Sequence, residues 1–431
     1  MATKLKLGTD NNWATKVDKL LAYNDENGNF KPIEFDADRG STSTRVNKSG
    51  LVENVEANRP RVQFDNNDGY LLLEPSRTNL QVRSEEFDNA AWTKSNCTVS
   101  ANQTTSPDGA TTADKIIENS GSGSKKVYDG ITTSSGTVYT WSVFLKADTR
   151  SKARLNIFGS YAEFDVANQT LLTQSGITSY KIEDYGNGWG RFSITETANA
   201  TSTLTYVYLL DDAGNVSYTG DGVSGLFVWG AQLEAGTYPT GYIKNVDTSS
   251  GVTRTKDTVK LENFSDMPTD YPFTAFVDMD IIEDEKGYGF SIIDISTTDK
   301  YWSVGYSEDS GTLGKFRFSN RAQGASYNFN TTLTYGTGRY KIAIKFISAT
   351  NFKAFIDGVE VADYTHTSSA FNTNINDVLL GQLRVAGDVN TRNTVYQFML
   401  FNEELSDSEL ETITSYTSFN KMAKALLYTI E

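Results

Sequence analysis

Residues 225–243 read "GLFVWGAQLEAGTYPTGYI". Leu226 to Trp229 is an unbroken apolar run, and Gly236 and Pro239 then stop the pattern. With the two-residue period of a strand, Phe227, Trp229, Ala231 and Leu233 share one face, and Leu226, Val228, Gly230 and Gln232 the other. A strand apolar on both faces at its start is expected at the centre of a sheet covered on both sides. The polar stretch that follows, "TGYIKNVDTSSGVTRTKD", reads as a connector, so a domain boundary is expected at 247–257.

Upstream, short apolar-alternating runs recur. Examples are "TVYTWSVFLKA" (137–147), "ARLNIFG" (153–159), "GRFSITET" (190–197) and "STLTYVYLL" (202–210), with turn clusters such as "DYGNG" between them. This spacing predicts a β-sandwich or jelly roll over 81–247. Downstream, from "PFTAFVDMDII" (272–282) to "VYQFMLFNEEL" (395–405), the style repeats without the sequence repeating, and predicts a second sandwich over 258–418. Asp357-Gly358 marks a hairpin turn. Ser406 with Glu409 three residues on is a capping box, opening a closing helix whose apolar face carries Leu410, Ile413 and Tyr416.

Near the start, Trp13, Val17, Leu20 and Leu21 stand at helical spacing, and Asn24 to Gly28 stops the run. One short helix within 1–35 is expected, its stripe too narrow for a core and therefore suited to anchor the chain on another subunit. Residues 36–80 read as an arm with a hairpin around Asn66-Asn67-Asp68-Gly69, and 419–431 as a tail. The expected fold class is all-β: two antiparallel β-sandwich (jelly-roll) domains with a short helical N-terminal anchor and a C-terminal helix.

The 431 residues include 23 Tyr and 23 Phe and carry a formal net charge of -15. That charge opposes binding to a nucleic-acid backbone or an anionic membrane surface. No run reaches the ~18–20 apolar residues of a membrane span. The first residues lack the apolar run of a signal peptide. Synthesis in a cytoplasm and release by another route are therefore expected, which disfavours a bacterial surface adhesin.

Cys97 and His366 are the single cysteine and histidine. A Ser-His-Asp arrangement would have to use His366, which sits in the Thr/Ser-rich "DYTHTSSAFN" with no glycine-elbow serine near it. Cys97 reads as a buried or edge thiol. The densest acids are Glu283, Asp284 and Glu285, then Asp211 with Asp212, and Glu403 with Glu404. All occupy expected turns, although a glycosidase needs only two such carboxylates. No phosphate-binding or dinucleotide pattern occurs. Oxygen-bearing loops such as "NNDG" and "DGVSG" suit a structural Ca2+, but none has the twelve-residue pattern with a closing Glu. The expectation is no catalytic residue, no metal ligand and no cofactor beyond such a calcium ion. For sugar recognition the candidates are Trp302, Arg321, Gln323 and Tyr327, aromatic faces beside planar hydrogen-bonding groups. Trp302 also suits a core.

The segment "FDADRGSTSTRVNKSGLVENVEANRPRVQFDNNDGYLLLEPSRTNL" (35–80) resembles one found in bacteriophage virion fibre, spike and tail proteins. "YTWSVFLKA", "IEDYGNGWGRFSIT", "YTGDGVSGLFVWGAQLEAGTYPTGYI" and "VTRTKD" continue the resemblance in the same order to residue 257. It departs at Gly190, where the family often has Tyr or another bulky residue. "FKAFIDGVEV" and "FMLFNEELSDSELETI" resemble a concanavalin A-like or laminin G-like sandwich. These resemblances imply a carbohydrate-binding-module-like jelly roll, then a lectin-like domain, in a head or tail fibre or spike subunit on the virion surface. They further imply a homotrimer, contact with other virion proteins through the N-terminal segment, and adhesion to a host-surface or environmental glycan. By its net charge that glycan is expected to be neutral or basic. A glycan-degrading depolymerase and a purely structural capsid decoration are the alternatives.

Overall fold

The computed structural model describes residues 3–417 and 422, except 9–11, 66–67, 247, 269, 284–285, 295–299, 307–313, 323–324, 349, 366–374, 384–391 and 418–421. The chain divides into two compact units. An inserted unit comprises Ser41–Asn54 and Ser76–Arg254; a flanking unit comprises Met1–Gly40, Val55–Pro75 and Thr255–Glu431. Strands dominate both, as expected, and one helix, Asp407–Thr414, closes the described chain.

The inserted unit is a sandwich of two antiparallel sheets. One has the order Cys97–Thr104, Ala113–Glu118, Gly225–Ala235, Val138–Lys146, Trp189–Thr197, Ser179–Asp184. The other has the order Thr93–Ser95, Ser122–Thr132, Ser202–Leu209, Lys152–Ile157, Ser160–Asp165, Thr170–Ser175. Alternate residues of both sheets interdigitate in one core. Ile116, Trp141, Val143, Phe192 and Val228 come from the first, and Val127, Leu155, Phe164, Val207 and Leu209 from the second.

Gly225–Ala235 is central in its sheet, but its two faces are not the expected ones. Gln232 stands opposite Ser142 and Trp229 opposite Phe144, so three steps on one strand match two on the other. This is a β-bulge, and Gly230 in it takes φ +62. A Cβ at Gly230 would lie 2.7 Å from Phe144 Cδ2, so only glycine fits the bend. The bulge resets the alternation. Leu226, Val228, Ala231 and Leu233 all enter the core, while Trp229 turns to the opposite face. There it packs edge-on to Phe144 at 5.2 Å and against Tyr242 at 4.8 Å, within a cluster that includes Val52, Ala113 and Trp189.

The abrupt end of the apolar run has a polar cause. Gln232 and Glu234 are fully buried and hold the returning chain. Glu234 accepts from Thr240 N at 2.9 Å and Thr240 Oγ1 at 2.7 Å, and Gln232 Oε1 accepts from Ile243 N at 2.7 Å. Asn79 Nδ2 donates to the carbonyls of Ala231 and Ile243. Gly190 also has a local cause: a Cβ there would meet Phe192 Cε2 at 2.8 Å.

In the flanking unit, 17 strands among the described residues join one hydrogen-bonded network. Its N-terminal residues are strands, not the expected helix. Thr15–Lys16 pairs with Lys19–Asn24, which pairs in turn with Lys31–Asp38. Leu20 and Ala22 point into the core while Leu21 is 47% exposed, a two-residue period that the helical spacing of Trp13, Val17 and Leu20 masks. Val17 sits at the hairpin tip, 62% exposed, and the Trp13 indole donates to Gly69 O at 3.0 Å. Leu5, Leu7, Phe35, Ala37, Val62, Leu71 and Leu73 join the same core as Trp302, Phe346 and Phe398. The N-terminal segment and residues 55–75 of the arm are therefore part of this unit, while residues 41–54 and 76–80 of the arm belong to the inserted unit.

A buried ion network ties these pieces together. Arg61 pairs with Glu74 at 2.7 Å and with Asp257, and Arg39 Nη1 reaches Asp257 Oδ1 at 3.1 Å. Arg392 lies 3.2 Å from Glu74. The helix carries the expected capping box of Ser406 and Glu409, and Leu410 is fully buried.

Candidate functional site

Three of the four sugar-binding candidates fall among the described residues, and the structure does not bring them together. Trp302 is a core residue: its ring is 0% exposed and lies 4.4 Å from that of Phe346, so it is unavailable to a ligand. Arg321 pairs in register with Ser326, and Tyr327 with Asn320. Cross-strand partners share a face, so Arg321 and Tyr327 stand on opposite faces of their hairpin. Gln323 and His366 lie outside the described residues, as do Asp284 and Glu285.

The remaining sequence candidates are engaged locally. Asp221 of "DGVSG" accepts from Val223 N at 2.8 Å, Ser224 N at 2.7 Å and Ser224 Oγ at 2.6 Å, which is turn chemistry. Asp212 pairs with Arg150 at 3.2 Å, and Glu404 with Lys345 at 2.9 Å. Among the described residues no group of three His, Cys, Asp or Glu side chains is placed to hold a metal ion. The Cys97 thiol donates to Lys126 O at 3.2 Å, and burial pushes its pKa up.

A different surface does assemble. In the second sheet of the inserted unit, Val127, Ile131, Leu155, Ile157, Val207 and Leu209 face the core. The alternate residues therefore face away from it. Register places them in two rows across four strands: Lys126–Tyr208–Arg154–Glu163 and Tyr128–Tyr206–Asn156–Tyr161. At a strand spacing of about 4.8 Å each row runs for about 14 Å.

The rings form a continuous patch. Tyr128 and Tyr206 have centroids 5.2 Å apart, and Tyr206 and Tyr208 are stacked at 5.3 Å. Lys126 Nζ lies 5.1 Å from the Tyr206 centroid, 5.2 Å from Tyr208 and 5.6 Å from Tyr128. The Arg154 guanidinium lies 3.9 Å over Tyr161 and pairs with Glu163 through Nε at 2.9 Å. Partial burial raises the phenol pKa of both Tyr206 and Tyr208, which keeps them as O–H donors.

Beside the rows a cleft of about 600 Å³ is lined by Gly130, Asn156, Phe158, Gly159, Asn199, Leu204, Tyr206 and Tyr208, among others. Gly159 has φ +86 in the tight turn after Phe158, and its missing side chain leaves open space. The arrangement offers aromatic faces, an amide, hydroxyls and two cations over an open groove. That suits a polar, ring-shaped ligand held by stacking and hydrogen bonds. The signal was present in "STLTYVYLL", where Tyr206 and Tyr208 alternate with Val207 and Leu209, and in Lys126 and Tyr128 around Val127. Rings on a strand's outer face lie away from the loop edges expected to hold the candidates Arg321, Gln323 and Tyr327.

Residues 253–411 match the family model of the concanavalin A-like lectin/glucanases superfamily, so this part of the flanking unit has a concanavalin A-like fold. No curated protein matches the sequence. Among solved structures, the chain is similar to the CBM40 module of the Ruminococcus gnavus IT-sialidase. The identity is 16%, with 33% of this chain and 83% of that one covered, at a TM-score of 0.29. It is similar to the leech intramolecular trans-sialidase at 17% identity, covering 34% and 24% of the two chains, with a TM-score of 0.28. The binding domain of botulinum neurotoxin serotype D/C follows at 12% identity, 37% and 40% coverage, and a TM-score of 0.30. This chain therefore spans less than half of the latter two, and TM-scores at this level carry no inference about ligand.

Proposed function

We propose that the protein is a non-catalytic adhesion subunit of a bacteriophage fibre or spike, and that it binds host-surface glycan through the tyrosine face of the inserted unit. The observation that carries the binding is the pair of in-register rows, which puts four tyrosines, Asn156 and two cations on one open surface. The order of motifs from 35 to 257 supports the virion assignment. The concanavalin A-like match over 253–411 agrees with a carbohydrate-directed chain. The exposed Val17 and Leu21 of the N-terminal hairpin are the proposed contact to other virion proteins or to copies within a trimer.

A single shallow site of this kind binds weakly, and affinity comes from many copies on one particle. Purified protein clustered on beads should bind host cells far better than the free chain, and should release no soluble oligosaccharide from them. Release of oligosaccharide would reassign the protein to the depolymerases. Absence of any binding, even when clustered, would leave a decoration role. Mass spectrometry and electron microscopy of purified virions test the location.

A further inference from the structure

The tyrosine face has a charge character opposite to that of the whole chain. Lys126 is half-buried over three rings, and among the described residues its ammonium has neither an acidic partner nor a hydrogen-bond acceptor. The nearest acid in its row is Glu163, two strands beyond Tyr208, and Arg154 already holds that carboxylate. The hydroxyls of Tyr128, Tyr161, Tyr206 and Tyr208 and the Asn156 amide likewise have no protein hydrogen-bond partner among the described residues. What meets a ligand here is mainly a set of donors: one ammonium, one guanidinium edge, four phenol groups and one amide.

The ring faces themselves are partly covered. Nζ of Lys126 lies within 5.6 Å of three centroids, so a sugar laid flat on Tyr206 or Tyr208 must share that space with the ammonium. A neutral sugar gains little from displacing it. A sugar bearing an anionic group gains a charge-assisted hydrogen bond and leaves the cation in place. The net charge of -15 does not decide against this. At physiological salt the Debye length is about 8 Å, so a ligand seated on the face feels the local ammonium more than remote carboxylates.

From this we infer that the face selects an acidic glycan, one carrying carboxylate, sulfate or phosphate, with Lys126 as the residue that reads the negative charge. The inference rests on the proposed glycan-binding role and reverses the neutral or basic preference that net charge suggests.

The test uses the full chain, immobilised at high density, against matched pairs of polysaccharides. Polygalacturonate, alginate and heparosan are each compared with their carboxyl-reduced neutral form. The expected result is at least about tenfold tighter binding to the acidic member of a pair, the size of one charge-assisted contact. Lys126→Gln should erase that preference and Lys126→Arg should keep it, with the thermal transition of the inserted unit unchanged in both. Equal or tighter binding to the neutral members, or a preference that survives Lys126→Gln, overturns the inference and leaves glycan binding intact. A chain that binds neither member of any pair, nor intact host envelopes, overturns the glycan-binding reading itself.

Discussion

Lys126 and Tyr208 stand directly opposite each other on neighbouring strands, with the ammonium 5.2 Å from the ring centroid on the side of the sheet away from the core. Tyr206 and Tyr208 therefore contribute little to folding. Each, changed to Ala, should lower the stability of the inserted unit by less than about 1.5 kcal/mol, the scale of a cation–π and an aromatic pair contact. Chemical denaturation checks this; a loss as large as a core deletion would mean that the rings are structural.

Trp229 makes the contrast. It is 1% exposed and packs against Phe144 and Tyr242. Trp229→Ala should cost about 3–5 kcal/mol, lowering the transition of the inserted unit and leaving that of the flanking unit in place. Differential scanning calorimetry separates the two, and a near-neutral effect would contradict the packing described.

The N-terminal strands supply core residues to the flanking unit. Deleting residues 1–24 removes Leu5, Leu7, Leu20 and Ala22, all fully or nearly fully buried, and should abolish the cooperative melting of that unit. Limited proteolysis within 247–257 should leave fragments that co-elute under native conditions, because pieces of one core lie on both sides of the cut. Two independently folded fragments that separate freely would contradict this arrangement.

Arg61 is fully buried between Glu74 and Asp257. Arg61→Leu strips both carboxylates of a partner in a water-poor site and should cost about 3–5 kcal/mol. Equilibrium unfolding in urea provides the measurement, and a neutral variant would show that solvent reaches the network.

Asp114 gives a pH signature. Burial pushes its carboxyl up to about 6, although Asn102 N and Asp88 N donate to it at 3.0 and 3.2 Å. The folded form holds the proton more tightly than the unfolded chain, whose Asp titrates near ~3.9. Stability from this group is thus fully present below about pH 4 and is lost as pH rises through about 6, on the order of 2–3 kcal/mol. Melting curves of wild type and Asp114→Asn from pH 4 to 7 should diverge, with wild type losing ground as pH rises. A difference independent of pH would contradict the assignment.

Elements governed by neighbouring residues were legible in the sequence. The Asp357-Gly358 turn, the Ser406 capping box and the central position of Gly225–Ala235 follow from local pattern alone. Features set by distant partners were not. The bulge at Gly230 depends on the approach of Phe144, which no local window contains. Trp13, Val17 and Leu20 match helical spacing because a two-residue turn shifts the strand phase between them. Arg39, Arg61, Glu74 and Asp257 come from separated motifs, and only the folded chain shows them meeting. The tyrosine face was half legible: alternation puts Tyr206 and Tyr208 on one side, but pairing with Tyr128, Asn156 and Tyr161 needs the register.

The most direct test of the account is binding of the clustered full chain to host envelope polysaccharide, compared with its Tyr206→Ala/Tyr208→Ala double variant by biolayer interferometry. An aromatic contact contributes about 0.5–1.5 kcal/mol, so losing two rings should weaken binding about tenfold. That loss is expected with the inserted unit still folded. Unchanged binding by a folded double variant would contradict it and place the glycan site elsewhere on the chain.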